Sequence, residues 1–380
     1  MVTLFTGATG FLGSHLLARS LLLGQRSVAL VRRAPDIERQ RIRLALQATD
    51  FPEAAELVDT VRLVQIDLSA ARLGLDNSTF LALAAEVEAI WHCAADIEIL
   101  GKPDRLNRTN VIGTRTMRSL ADATGQDSHF IYVSTAFVAG ARMEGIVKED
   151  DLDDSLGFLS PYEETKYTAE KETREWAERT GRRLTVFRPS LLLTHRRPIP
   201  GGPTNTGATA GTRLSELARI DPSVVTGRPL QGGRAVVRLP GREDALINIL
   251  QVECAADIMI SAAARKSPAH IESFHVVHPR ETEVRRLASA MMARCPWLDV
   301  RIAPDHRGDS PLERMLIEEG AGILAYTHVR RTYDRSRITA AVRIPDPPAI
   351  DDAYLRASLG QDPDEECDTA AIPGGLSASW

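Results

Sequence analysis

One stretch at the N-terminus constrains this chain more than any other. Val2–Thr6 is a short apolar, β-branched run. It gives way to Gly7-Ala8-Thr9-Gly10-Phe11-Leu12-Gly13, then to Ser14–Leu21 at helical spacing, then to a second strand-like run, Ser27–Val31. Strand, glycine turn, helix and strand in this order spell the opening βαβ unit of a dinucleotide-binding fold. Gly7 frees the turn off the strand. Gly10 lets a pyrophosphate approach the backbone, and Gly13 lets the helix pack close to the sheet. The helix N-terminus offers N–H groups and its dipole to the phosphates. The expected cofactor contacts therefore begin with Gly7, Thr9, Gly10, Phe11, Leu12 and Gly13.

The end of the second strand refines the cofactor. An acid there would accept hydrogen bonds from a free ribose 2′-OH, whereas this strand ends on Arg32-Arg33, which suit a 2′-phosphate. NADPH is the expected cofactor, with Arg32 ranked above Arg33 because it is nearer the strand. A solvated basic loop is the competing reading.

At 380 residues the chain holds one large α/β domain with an insertion, or two domains. A formal net charge of −5 gives no footprint for nucleic acid. No apolar run is long enough to span a bilayer, and no signal-peptide pattern is present. The cysteines Cys93, Cys254, Cys295 and Cys367 lack metal-ligand spacing, so no metal is expected, and a reduced, cytoplasmic protein is the plain reading.

Further strands are expected at Val61–Ile66, Ala89–His92, Phe130–Val133, Leu184–Arg188 and Ser273–Val277. Asp67-Leu68 follows the first of these, and Asp67 either hydrogen-bonds an adenine amino group or caps the next turn. Ala94 and Ala95 are small enough for a ribose to approach the backbone. His92 reads as a satisfied core histidine. Long helices are expected over 104–124 and 161–179, with apolar faces that suit either the core or a homodimer interface. Residues 195–212 read as a long loop, disordered or a substrate lid. Residues 245–260 are expected to rejoin the sheet, with helices at 281–293 and 311–325. Beyond Leu359 the chain reads as a disordered acidic tail.

Tyr162 and Lys166 lie about one helical turn apart, so they share a face. A nearby ammonium would lower the phenol's pKa and make Tyr162 a workable proton donor. Thr135 or Ser134, at a strand's carboxyl end, could hydrogen-bond the same substrate oxygen. Together these suggest a carbonyl reduction site. Tyr167 and Lys171 form a second, overlapping pair, read as core plus surface.

These pieces carry a resemblance. TGATGFLG (6–13), DL (67–68), HCAAD (92–96), NVIGT (110–114), YVSTAFV (132–138), YEETK (162–166) and RPS (188–190) occur in order. With them the chain resembles the extended short-chain dehydrogenase/reductase superfamily over residues 1–194 and about 245–280. The resemblance implies an α/β, Rossmann-type doubly wound parallel sheet for those residues. A smaller, mainly helical substrate-binding portion would comprise 195–244 and about 281–359. It further implies a catalytic set of Thr135, Tyr162 and Lys166, with Asn110 as a candidate fourth member. Lys166 would also bind the nicotinamide ribose, and Ser134, Pro189 and Ser190 would lie near the nicotinamide. Within the superfamily the chain looks most like fatty acyl-CoA reductases and the thioester reductase domains of carboxylic acid reductases and peptide synthetases. Arg32 and the stretch Glu38-Arg39-Gln40-Arg41 support that likeness. It implies NADPH-dependent reduction of an acyl thioester, on a carrier protein or CoA, to aldehyde and sometimes alcohol. The alternatives are a reductase of free aldehydes or ketones, a nucleotide-sugar epimerase or dehydratase, and a non-catalytic NADPH-binding protein. Dehydratases of the superfamily usually follow the catalytic Thr with Asp-Glu, whereas Ala136-Phe137 follow here.

Overall fold

The computed structural model describes residues 2–226, 233–304 and 306–360. The N-terminal half alternates strand and helix: β1 Val2–Thr6, α1 Phe11–Leu22, β2 Arg26–Val31, α2 Pro35–Gln47, β3 Arg62–Gln65, α3 Asn77–Glu86 and β4 Ala89–His92. Then come α4 Pro103–Leu106, a π-helical stretch Asn107–Ile112, α5 Gly113–Ala123, β5 His129–Val133, β6 Ile146–Val147, α6 Pro161–Thr180 and β7 Arg183–Pro189. β8 Leu191–Leu193, α7 Thr206–Arg219, α8 Pro222–Thr226, β9 Ala235–Pro240, β10 Leu246–Ile247, β11 Ile249–Gln251, α9 Val252–Ala263 and β12 Ile271–Val276 follow. The chain continues with β13 Thr282–Glu283, α10 Val284–Arg294, β14 Leu298–Ala303, α11 Pro311–Leu324, β15 Thr332–Tyr333, α12 Ser336–Ala341 and α13 Asp352–Ser358.

Seven parallel strands form the central sheet in the order β12-β7-β5-β4-β1-β2-β3. β1 is buried at every position, as a strand covered by helices on both faces must be. Its alternating side chains divide between two cores. Phe5 joins Trp91, Phe187 and Phe274 in a row of stacked rings spaced 6.4, 5.9 and 6.0 Å, beneath α1 and α9. Leu4 joins Ile90, Phe130, Met117 and Trp176 on the opposite face, beneath α5 and α6. The apolar sides of α5 and α6 thus serve as core, while Arg115 and Arg118 pair with Glu172 along their outer sides.

Three sequence expectations need correction. Residues 195–212 are not a continuous loop, because Asn205 caps a helix by accepting the Ala208 N–H at 2.8 Å, and α7 begins at Thr206. Residues 245–260 do not rejoin the central sheet. β10 pairs with β13 and β11 pairs with β8 in separate two-stranded sheets, and α9 then packs against α1. The final segment also divides differently from the expected boundary. Ile338 on α12 is buried in the core of the first sheet face, although it falls in the stretch assigned to substrate binding. A smaller core around Leu217, Val237, Leu298 and Leu312 organises the C-terminal portion, with β9 and β14 paired in parallel. The expected tail lies, from residue 361 on, outside the described residues.

Candidate active site

The parallel strands bring their carboxyl ends to one edge, and the site assembles there. Gly7 adopts φ +74°, and a Cβ on it would lie 2.9 Å from the Ala94 nitrogen. A Cβ on Gly13 would lie 2.1 Å from the Gly7 carbonyl oxygen, so only glycine lets α1 seat on the turn. Gly10 donates to the Gly7 carbonyl at 2.9 Å and caps α1 without a side chain. The opening N–H groups of α1 have no capping side chain, which is the arrangement that receives phosphate.

Thr6 and His92 fix the neighbouring strand exit. Thr6 Oγ1 accepts the Ala94 N–H at 3.1 Å and meets His92 Nδ1 at 2.9 Å, while His92 Nε2 meets Thr114 Oγ1 at 2.9 Å. Burial pushes the His92 imidazole down to about 3, so it is a neutral core histidine. Ala94 and Ala95 follow it at half-buried positions. Asn110 pins the end of this loop. Its Oδ1 accepts the Asp96 N–H at 2.8 Å, and its Nδ2 donates to the Asp96 carbonyl at 3.0 Å and to Thr165 Oγ1 at 3.1 Å. It does so from the π-helical stretch, a deformation that recurs at functional sites.

Thr135 lies just past β5 and caps the short turn Ala136–Ala139 by accepting the Phe137 N–H at 3.2 Å. It also lies close enough to the Tyr162 phenol to favour its ionised form. Ser160 and Pro161 place that phenol, since Ser160 caps α6 by accepting the Glu163 N–H at 3.3 Å and Pro161 occupies the first helical position. Burial pushes the Tyr162 phenol up to about 12, opposed by Thr135 and reinforced by the Glu163 charge. The phenol is therefore protonated at neutral pH. Lys166 is buried one turn on; its Nζ donates to the Val133 carbonyl at 2.7 Å and lies 4.4 Å from the Tyr132 ring centre. Burial lowers its ammonium to about 7, with Glu170 and Cys93 opposing the shift. The expectation that Lys166 lowers the Tyr162 phenol is corrected: β5 engages the ammonium, and burial governs the phenol.

Ser134 is directed elsewhere than Thr135. Its hydroxyl donates to Glu170 Oε2 at 2.6 Å. Glu170 and Arg188 are both fully buried and pair at 2.7 Å, with Arg174 reaching the same carboxylate at 2.6 Å. The Pro189 carbonyl accepts the Thr135 hydroxyl at 3.5 Å. Ser190 Oγ, next along, is buried without a hydrogen-bond partner. Its unmet hydrogen-bonding capacity, the glycine cradle and the uncapped α1 N-terminus fit a dinucleotide bound along this edge.

At the far end, Arg32 and Arg33 are exposed beyond β2, and Gln65 Nε2 approaches the Arg32 carbonyl at 3.5 Å. Asp67 caps the next turn through one oxygen, Oδ1 accepting the Ser69 N–H at 2.9 Å and hydroxyl at 2.7 Å. Leu68 packs over Gly113, where a Cβ would come within 2.8 Å of it. Tyr167 is buried beside Phe158, with ring centres 5.1 Å apart, and Lys171 is exposed near Asp154, which makes this second pair core plus surface.

Sequence reading passed over the buried charges beneath the site. A visible signal for Arg188 was a charged residue closing the apolar run Leu184–Phe187. Tyr326 carried no such signal, because a distant segment delivers it to Phe137 at a ring-centre distance of 4.7 Å.

A seven-stranded parallel sheet with a glycine turn at β1 and a Thr-Tyr-Lys cluster at the end of β5 defines an extended short-chain dehydrogenase/reductase scaffold. A family model described as Male sterility protein, an NAD-binding family, matches residues 5–221, more than half of the chain, and the chain belongs to that family. It is 34% identical over 195 residues to the isonitrile lipopeptide synthase of Streptomyces coeruleorubidus, covering 50% of this chain and 13% of that protein. It is 29% identical over 300 residues to the carboxylic acid reductase of Mycobacterium tuberculosis, covering 73% of this chain and 24% of that protein. The chain therefore spans a quarter or less of these two relatives. The crystal structure of the terminal R domain from the myxalamid PKS-NRPS pathway shares the fold, with a TM-score of 0.73 at 24% identity over 94% of this chain and 89% of that one. Among the described residues no helix is long and apolar enough to cross a membrane.

Proposed function

We propose that this protein is an NADPH-dependent reductase of an acyl thioester, carried by a carrier protein or CoA, and that it forms the aldehyde. The gathering of Thr135, Tyr162 and Lys166 at the strand ends beside the glycine cradle carries this reading, because it puts a protonated phenol near where a carbonyl oxygen would need one. Gly7, Thr9, Gly10, Phe11, Leu12 and Gly13 would hold the pyrophosphate, Arg32 and Arg33 the 2′-phosphate, and Asp67 and Leu68 the adenine side. Ala94, Ala95, Ser134, Lys166, Pro189 and Ser190 would line the ribose and nicotinamide. When bound, the dinucleotide supplies hydride to the thioester carbonyl carbon.

Thr135 donates to the carbonyl oxygen as negative charge develops there. Tyr162 delivers the proton to that oxygen, completing a hemithioacetal. Collapse of the hemithioacetal expels the thiol and leaves the aldehyde; a second hydride and proton would give the alcohol. Asn110 takes part by fixing the Asp96 backbone rather than by touching substrate. The relatives support the carrier-bound substrate, because they include a lipopeptide synthase and a carboxylic acid reductase.

The test is NADPH consumption with acyl-CoA and acyl-pantetheine thioesters, the matching aldehydes, and a nucleotide sugar, using wild type and Tyr162→Phe. Tyr162-dependent turnover with release of one thiol per thioester supports the proposal. Turnover on free aldehydes or ketones alone makes the protein a plain carbonyl reductase. Sugar conversion without net loss of NADPH overturns the proposal.

A further inference from the structure

Three elements deliver the groups of the site, and one buried carboxylate ties them together. β5 runs into Ser134 and Thr135, β7 ends on Arg188 and Pro189, and α6 carries Tyr162, Lys166 and Glu170. Glu170 lies one helical turn beyond Lys166, so both meet the same strand end. Lys166 Nζ donates to the Val133 carbonyl at 2.7 Å, and the next residue, Ser134, donates its hydroxyl to Glu170 Oε2 at 2.6 Å. Glu170 Oε1 accepts from Arg188 Nη2 at 2.7 Å and from Arg174 Nε at 2.9 Å. Arg188 Nε lies 3.1 and 3.2 Å from the two carboxylate oxygens. Glu170 and Arg188 are wholly buried, and Ser134 is buried with them.

This bridge sits directly behind the residues expected at the nicotinamide. Val133 and Phe187 are partners across β5 and β7, and the Ser134 N–H donates to the Phe187 carbonyl at 2.7 Å. Past that bond Thr135 Oγ1 reaches the Pro189 carbonyl only at 3.5 Å. The Ser134–Glu170–Arg188 bridge spans the same two strands with contacts of 2.6 and 2.7 Å. Stability alone does not call for it, since apolar residues of similar volume often replace a buried ion pair at no loss. Apolar side chains lack direction, however. A carboxylate shared by a guanidinium fork and a hydroxyl fixes both distance and angle between the elements it joins.

We infer that Glu170 is a positioning residue for hydride transfer, locking the ends of β5 and β7 to α6 and so setting Thr135 and Tyr162 against the nicotinamide edge at Pro189 and Ser190. The inference rests on the reductase reading given above. Glu170 touches neither substrate nor cofactor; it acts through the Ser134 hydroxyl on one strand and the Arg188 guanidinium on the other.

The test separates placement from stability. Glu170→Met combined with Arg188→Met fills the same space without direction, and it should regain most of the urea stability that Glu170→Gln loses. Its kcat with the best carbonyl substrate should nevertheless stay about tenfold or more below wild type, because small displacements of reacting groups carry losses of that size. Its NADPH dissociation constant should remain within about threefold of wild type, since the glycine turn and the α1 N-terminus hold the other end of the dinucleotide. With NADPH deuterated at the transferred position, the isotope effect on kcat should exceed that of wild type, because hydride transfer has become the slower step. Ser134→Ala keeps both charges and removes one arm of the bridge, so kcat should fall about threefold or more. Wild-type kcat and isotope effect in either variant, assayed well below its unfolding midpoint, would overturn the inference. If the double variant does not fold, Ser134→Ala decides.

Bound NADPH gives a readout that needs no carbonyl substrate. At equal saturation, the fluorescence lifetime of its nicotinamide should be shorter in both variants than in wild type, because the ring is held less firmly. An unchanged lifetime overturns the inference. A lifetime that shortens in a protein inactive on every thioester, aldehyde and ketone counts against the proposed function and leaves the hold on the nicotinamide edge standing. A protein that binds no nicotinamide dinucleotide overturns both.

Discussion

Glu170→Gln tests whether the charges beneath the site are structural. Glu170 and Arg188 are both completely buried, and the carboxylate accepts from Arg188 Nε and Nη2, from Arg174 and from Ser134. Burial alone would raise the Glu170 carboxyl, but Arg188 and Arg174 outweigh it and hold it at about 2, against an ordinary 4.5. A depression of that size corresponds to about 3 kcal/mol of stability. It is present above the unfolded value and is lost as pH falls from there toward 2.

The glutamine loses the charge and turns an amide N–H₂ toward donors, leaving Arg188 buried and uncompensated. Breaking a buried pair on one side costs about 3–5 kcal/mol, which agrees with the titration figure. Urea unfolding at pH 7 should show that loss at unchanged m-value, and Tm should drop by about 5–15 °C. The companion variant Glu170→Met with Arg188→Met removes both charges and should recover most of the loss. A Glu170→Gln protein within about 1 kcal/mol of wild type would refute the reasoning, as would a double variant no more stable than Glu170→Gln.

Other consequences follow from the same geometry. Gly13→Ala drives a Cβ into the Gly7 carbonyl, so NADPH binding followed by fluorescence should be abolished, while the cost in stability stays near about 1–3 kcal/mol. Lys166 has a folded value of about 7, well below that of an unfolded lysine, so the unfolded chain binds more protons between pH 7 and 10. Stability should therefore rise with pH in that window by up to about 1.4 kcal/mol per unit relative to Lys166→Met, as measured by paired urea titrations. Arg32→Ala should weaken NADPH by tenfold or more, on the order of a charge-assisted hydrogen bond, and leave NADH nearly unchanged in parallel KM measurements. Lys171→Ala removes only an exposed ammonium, so activity should be unaltered and stability within about 0.5 kcal/mol.

The central sheet was legible because its determinants are local. Val2–Thr6, the glycine turn and the helix after it are one continuous stretch, and each glycine answers a backbone demand that its own neighbours create. The same holds for Tyr162, which Ser160 and Pro161 place at the start of a helix whatever the rest of the chain does. The start of α7 was missed because Thr, Gly and Ala dominate its first turns, and its cap, Asn205, sits in a run that otherwise reads as loop. Residues 245–260 return to apolar patterning, but apolar periodicity does not say which sheet a strand joins.

The sequence by itself determined the dinucleotide turn, the order of the parallel strands' helices, and the spacing that puts Tyr162 and Lys166 on one face. Only the tertiary structure decided the electrostatics of that face. Ionisation depends on burial and on charges arriving from far along the chain, such as Arg188, which the neighbouring strand brings to Glu170. A spacing rule contains neither, which is why the sequence argument gave Lys166 control of the Tyr162 phenol and the folded protein gives it to burial, Thr135 and Glu163.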